Sequence, residues 1–163
     1  MAGEQPTTQL PNKQKGNKYK YDIGKILKLK LENDKYAYLT AISDLNDSGV
    51  ASTNFDNILT SLGVLWDFII QKGEIGQLNI PILGTGRGRV LENRETIIKA
   101  IVRSFISSTS NGKRFSDKLN VVILPKDFSD HELNIKSLKE FLKLTCEHYE
   151  YDTSISDKGQ AVG

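Results

Sequence analysis

The sequence is short of several residue types, and each shortage narrows its chemistry. Cys146 is its only cysteine, which rules out a disulfide within the chain and fits a reducing compartment. A lone thiol can act as a nucleophile, but Cys146 and His148 lie two apart on a helically patterned stretch, where side chains do not face each other. His131 and His148 are the only histidines, and neither has carboxylates or thiols at zinc-ligand spacing, so no metal site is expected. No run reaches the roughly 18 to 20 apolar residues that cross a bilayer, and the opening MAGEQPTTQLPNKQKGN has no signal-peptide core. A soluble, cytoplasmic chain is therefore expected. Excess charge is missing too, since a net +2 gives no reason to expect a nucleic-acid partner.

What is present is enough for one packed core. The 163 residues are 38% hydrophobic, the scale of one domain. Residues 1–17 are polar and interrupted by Pro6, Pro11 and Gly16, and residues 151–163 have no periodic pattern. Both read as tails around a domain at residues 18–150. Lys13, Lys15, Lys18, Lys20, Lys25, Lys28 and Lys30 crowd the start of the chain and read as a solvated strand face.

From Lys18 the side chains alternate, with Tyr19, Tyr21 and Ile23 on one face and Lys18, Lys20 and Asp22 on the other, as in a half-buried strand. After Gly24 a second alternation opposes Leu27, Leu29 and Leu31 to Lys28 and Lys30. Residues 36–42 (YAYLTAI) form a more continuous apolar run, expected of a central strand covered on both faces. Ser52, Thr53 or Asn54 can then cap a helix whose apolar positions are Phe55, Ile58, Leu59, Leu62, Leu65, Trp66 and Ile69. Trp66 in that stripe reads as core. Residues 78–83 (LNIPIL) predict a strand broken near its end by Pro81. Asn93 can cap a second helix carrying Ile97, Ile98, Ile101, Val102 and Phe105. Residues 119–124 (LNVVIL) predict another strand, and a last amphipathic helix carries Ile135, Leu138, Phe141, Leu142 and Thr145. This alternation predicts an α/β fold with a mixed, largely parallel central sheet between helices on both faces.

Ligands of such sheets bind where the chain leaves the C-terminal ends of the strands. The exits here are residues 43–52, 84–90 and 125–129. The middle one, GTGRGRV, places Gly84, Thr85, Gly86, Arg87, Gly88 and Arg89 directly after Leu83. Its glycines let successive backbone N–H groups approach an anion, and its arginines suit phosphate. A tight turn is the plainer alternative. The loop lacks the GxxxxGK[ST] of an NTPase, and it is not the GxGxxG of a first βα turn.

At this point the order of elements and the loops resemble the macro domain family, whose members bind ADP-ribose and related nucleotides. Tyr21-Asp22-Ile23-Gly24 looks like the family's Gly-Asp-Ile motif, IPILGTGRGRV like its diphosphate loop, and LNVVIL followed by Pro125, Lys126, Asp127 and Phe128 like its last strand. The resemblance spans residues 18–150. It implies a three-layer α/β/α fold, adenine held by Asp22 beside Ile23, and diphosphate on residues 83–89. It also implies a distal group near Ser48, Gly49, Val50, Ala51 and Ser52, with Asp127 and Phe128 beside the ribose or adenine. Where many members carry Asn-Ala-Ala-Asn, this sequence has Thr40, Ala41, Ile42 and Ser43, which speaks against ADP-ribosyl hydrolysis.

Within the family the loop DLNDSGVAST, the segment LGVLWDF and the arginine-bearing GTGRGRV are most similar to the macro domain of bacterial Thoeris anti-phage effectors. That resemblance implies a sensor for a nucleotide, such as a histidine adduct of ADP-ribose, made from NAD by a TIR enzyme. Those effectors carry membrane helices ahead of the domain, so a membrane-anchored effector segment at the cytoplasmic face is an expected partner of this portion. No cofactor is expected, and an oligomer is compatible with the sequence. Two rival readings stay open: a hydrolase with Asp44 or Asp47 as general base, and a protein or RNA interaction module using the lysine face.

Overall fold

Asn54 launches the helix around which the core is built. Its side chain accepts the Asn57 N–H at 2.8 Å, capping α1 (Phe55–Lys72), and that satisfies one of the donors a helix start leaves unpaired. The computed structural model describes residues 8–13, 18–86, 90–110, 115–130 and 133–159, with side chains of the last stretch as far as His148. They fall into two compact units, residues 1–123 and 124–163.

In the first unit α1 buries Ile58, Leu62, Leu65, Trp66 and Ile69, the stripe its spacing predicts. Leu59, counted in that stripe, is exposed. Helix α2 (Arg94–Ser110) starts where the Asn93 side chain accepts the Thr96 N–H at 2.8 Å, and buries Ile97, Ile98, Ile101 and Val102. The two helices meet at Trp66, whose indole N–H donates to Ser104 Oγ at 2.9 Å. Its ring lies edge-on to Phe105, centroids 5.5 Å apart, and 5.9 Å from Phe115. Such aromatic contacts add to the burial itself.

The strands are β1 (Thr8–Gln9), β2 (Tyr19–Lys20), β3 (Ile26–Lys30), β4 (Tyr36–Thr40), β5 (Asp44–Leu45), β6 (Ala51–Ser52), β7 (Gln77–Pro81) and β8 (Lys118–Val122). β1–β2, β3–β4 and β5–β6 pair antiparallel. β7 and β8 pair in parallel, from Gln77 opposite Lys118 to Pro81 opposite Val122, with α2 as the connection between them. The chain is thus α/β, but its described ladders are each two-stranded. β4 and β7 flank a cleft of about 440 Å³ whose lining includes Thr40, Ser61, Leu65, Trp66 and Asn79.

Several expected faces differ. β2 is only two residues long, and Tyr19 and Tyr21, on the face opposite the lysines of the expected half-buried strand, are exposed. In β3, Ile26 is buried, Leu27 is 45% exposed and Leu29 half-buried, and Leu31 just beyond the strand is 49% exposed, so the leucine face is not the fully covered one. The reason lies in Lys28. Its ammonium donates to the Lys72 carbonyl and to Glu74 Oε1, both at 2.9 Å, and stands 4.2 Å from the Tyr36 ring centroid. With its head so partnered, its stem can lie on the covered face. β4 has cover short of the two-sided expectation, with Leu39 55% exposed. Within the segment read as an N-terminal tail, residues 8 and 9 pair with β2 and the Leu10 N–H donates to the Lys18 carbonyl at 2.7 Å.

The second unit holds α3 (Pro125–Ser129) and α4 (Ile135–Gly159). Pro125 suits a first helical turn, where its missing N–H costs nothing. Asn134 caps α4 by accepting the Ser137 N–H at 3.1 Å, and the helix runs on through residues read as a tail from 151. Among the described residues no helix is long and apolar enough to cross a membrane.

Candidate functional site

The chain leaves β4 between two turns that hold it in place. The Gly24 N–H donates to the Ala41 carbonyl at 2.7 Å and the Ala41 N–H to the Lys25 carbonyl at 2.9 Å. The turn bearing Asp22 and Ile23 is thereby fixed beside the end of β4. Gly24 has φ +86°, and a β-carbon there would come within 3.1 Å of Val64 on α1, so this turn both needs a glycine and lies against the helix. Asp22 is exposed and Ile23 half-buried.

The next residues form the β5–β6 hairpin, in which Asp44 pairs with Ser52 and Leu45 with Ala51. Asn46 closes its turn: its side chain accepts the Val50 N–H at 2.8 Å and its carbonyl accepts the Gly49 N–H at 2.9 Å. Gly49 takes φ +77°. Ser48, Gly49, Val50 and Ser52 are exposed, and Ala51 is half-buried.

Thr53 then joins this exit to the next. Its hydroxyl donates to the Ile42 carbonyl. Its methyl lies against Gly84, which is buried at φ +73°, with Thr53 Cγ2, Ile58 Cδ1 and Val90 Cγ1 at 3.1, 3.0 and 3.3 Å from where a β-carbon would sit. The Gly84 carbonyl accepts the Val90 N–H at 3.2 Å, closing the loop at its base. Leu83 and Thr85 are half-buried, and the Thr85 hydroxyl donates to the Ile82 carbonyl at 3.0 Å. Gly86 is exposed, and a β-carbon there would meet nothing within 4 Å. Arg87, Gly88 and Arg89 lie outside the described residues.

Charge is arranged around the first exit. Lys20 Nζ lies 2.6 Å from Asp44 Oδ1, and hydrogen bonding and attraction to Asp44, with a further contribution from Asp22, hold Lys20 above its ordinary pKa. Asp44 therefore acts as a counter-ion, while Asp47 is exposed in the hairpin turn. Among the described residues no group of three or more His, Cys, Asp or Glu could hold a metal ion.

Asp22, Ile23, residues 48–52 and residues 83–86 thus all belong to the first unit, and Thr53 links the second and third of these groups. Asp127 and Phe128 belong to the other unit. There Asp127 is buried and its Oδ2 accepts the Leu124 N–H at 3.1 Å, serving the start of α3, while Phe128 is 37% exposed. Sequence reasoning saw Thr53 only as a candidate helix cap. Its second contact depends on Gly84, 31 positions along the chain, which no local pattern reveals.

Compared with known families, residues 2–124 match a family model described as Thoeris protein ThsA, Macro domain. No curated protein matches the chain.

Proposed function

Because the chain belongs to the macro domain family of Thoeris ThsA proteins, we propose that it is a non-catalytic sensor for an ADP-ribose-derived nucleotide. The observation that carries this reading is the glycine loop. Gly84 is locked by its positive φ and its cradle, while Gly86, two residues on, is exposed and leaves room for a ligand to approach the backbone. The loop base sits against Thr53, next to the capped start of α1, and a helix start favours an anion.

In this proposal Asp22 holds the adenine amino group and the N–H groups of residues 84–88 take the diphosphate, assisted by Arg87 or Arg89. Residues 48–52 meet the distal group, for which a histidine adduct of ADP-ribose made from NAD by a TIR enzyme is the favoured form. The finer architecture belongs to the same proposal: β4 and β7 as neighbours in a mixed, largely parallel sheet of a three-layer α/β/α fold. So does a cytoplasmic setting in which the bound domain activates an anti-phage effector attached to a membrane. Hydrolysis is proposed absent, and the pairing of Asp44 with Lys20 supports that part of the reading.

Titration of the protein with ADP-ribose, its histidine adduct, NAD, ATP and a short RNA tests the assignment. ADP-ribose or its adduct should bind best and emerge unchanged by chromatography. A response to RNA alone would replace the sensor with an interaction module, and turnover abolished by Asp44→Ala or Asp47→Ala would make the protein a hydrolase.

A further inference from the structure

We infer that Thr53 is a positioning residue for the glycine loop, a role that rests on the nucleotide reading above. Its β-carbon carries two groups aimed at two neighbours. The hydroxyl donates to the carbonyl of Ile42, just beyond the end of β4. The methyl is one wall of the cradle around Gly84. A branched β-carbon has few rotamers, so a hydrogen bond on one branch fixes the direction of the other. The place where the chain leaves β4 thereby sets the place where the glycine loop begins.

The other two walls are the apolar side chains of Ile58 and Val90, which carry no polar group to anchor them. Of the three side chains, that of Thr53 alone is fixed by a hydrogen bond. Neither close substitute supplies both contacts. Serine keeps the hydroxyl and loses the methyl, whereas valine keeps a methyl and leaves the Ile42 carbonyl without this donor. A cap role alone would not need the methyl, and α1 is already capped by Asn54.

The Val90 N–H, bonded to the Gly84 carbonyl at 3.2 Å, gives a readout of the loop base that requires no ligand. Amide hydrogen exchange at Val90 and calorimetric titration with ADP-ribose are measured for the natural protein, Thr53→Ser, Thr53→Val and Ser104→Ala. The last removes the acceptor of the Trp66 indole and serves as a control for stability loss away from the loop. Both Thr53 variants are expected to lose Val90 protection about tenfold beyond what their denaturation midpoints explain, and to bind ADP-ribose about tenfold more weakly. Ser104→Ala should change neither by more than its global stability dictates. Unchanged Val90 protection and unchanged affinity in the Thr53 variants would overturn the role. If the natural protein binds no ADP-ribose, the nucleotide reading fails, and the Val90 exchange alone decides the role of Thr53. Should one Thr53 variant fail to fold, the other decides.

Discussion

Gly84 and Gly86 are two residues apart and answer to different constraints. Gly84 combines φ +73° with neighbours at 3.0 to 3.3 Å around a would-be β-carbon, so Gly84→Ala should destabilise the fold by about 2 kcal/mol, read as a lower denaturation midpoint. Gly86 has open space there. Gly86→Val should leave stability within about 0.5 kcal/mol while abolishing calorimetric binding of ADP-ribose, by blocking approach to the backbone. At least one of Arg87→Ala and Arg89→Ala should weaken binding roughly 10- to 150-fold, the worth of a charge-assisted phosphate contact. Near-normal affinity in all three variants would remove the loop from the site. The glycine run was legible in the sequence because glycine has a local conformational meaning. That Gly84 is locked into the fold while Gly86 stands open was not, because that depends on Thr53 and Ile58, residues far away in the chain.

Elements differ in how much of them a one-dimensional pattern can show. Helix α1 was legible from its apolar spacing, with Ser52, Thr53 and Asn54 as candidate caps, of which Asn54 serves; Asn54→Ala should cost about 1 kcal/mol by removing the acceptor of the Asn57 N–H, measured by denaturant unfolding. Strand β3 was misread in phase, because alternation cannot say which face is covered when a lysine finds partners on the inner one. Lys28 lies between Glu74, Tyr36 and the Lys72 carbonyl, so Lys28→Gln with Lys30→Gln should lower stability slightly yet leave nucleotide affinity within about threefold. Hydrogen bonding to Glu74 raises the Lys28 pKa above 10.5. A raised value in the folded state means that this contact contributes fully below the ordinary lysine pKa and is lost as pH climbs through the raised one. Alkaline unfolding above pH 10.5 should therefore be less steep in Lys28→Gln than in the natural protein.

At the scale of the molecule, the alternation of strand and helix correctly indicated an α/β chain with a parallel β7–β8 pair bridged by α2. The extent of the sheet was beyond it, because strand order is a matter of which edges meet in space. The candidate site was read as a set of strand exits, and the joining of two of these loops through Thr53 was not legible. Occupancy should register globally: a ligand at about 100 times its dissociation constant adds roughly 2.7 kcal/mol to stability. ADP-ribose or its histidine adduct should accordingly raise the melting temperature, and ATP should do so less.

Trp66 is the only tryptophan in the sequence and is 1% exposed, with its indole N–H held by Ser104. Its fluorescence should emit at short wavelength in the native protein and shift to the red on unfolding, with no competing fluorophore of its kind. The protein therefore contains its own optical gauge of folding. A variant such as Gly86→Val can be checked for native emission in the same cuvette in which its binding is measured.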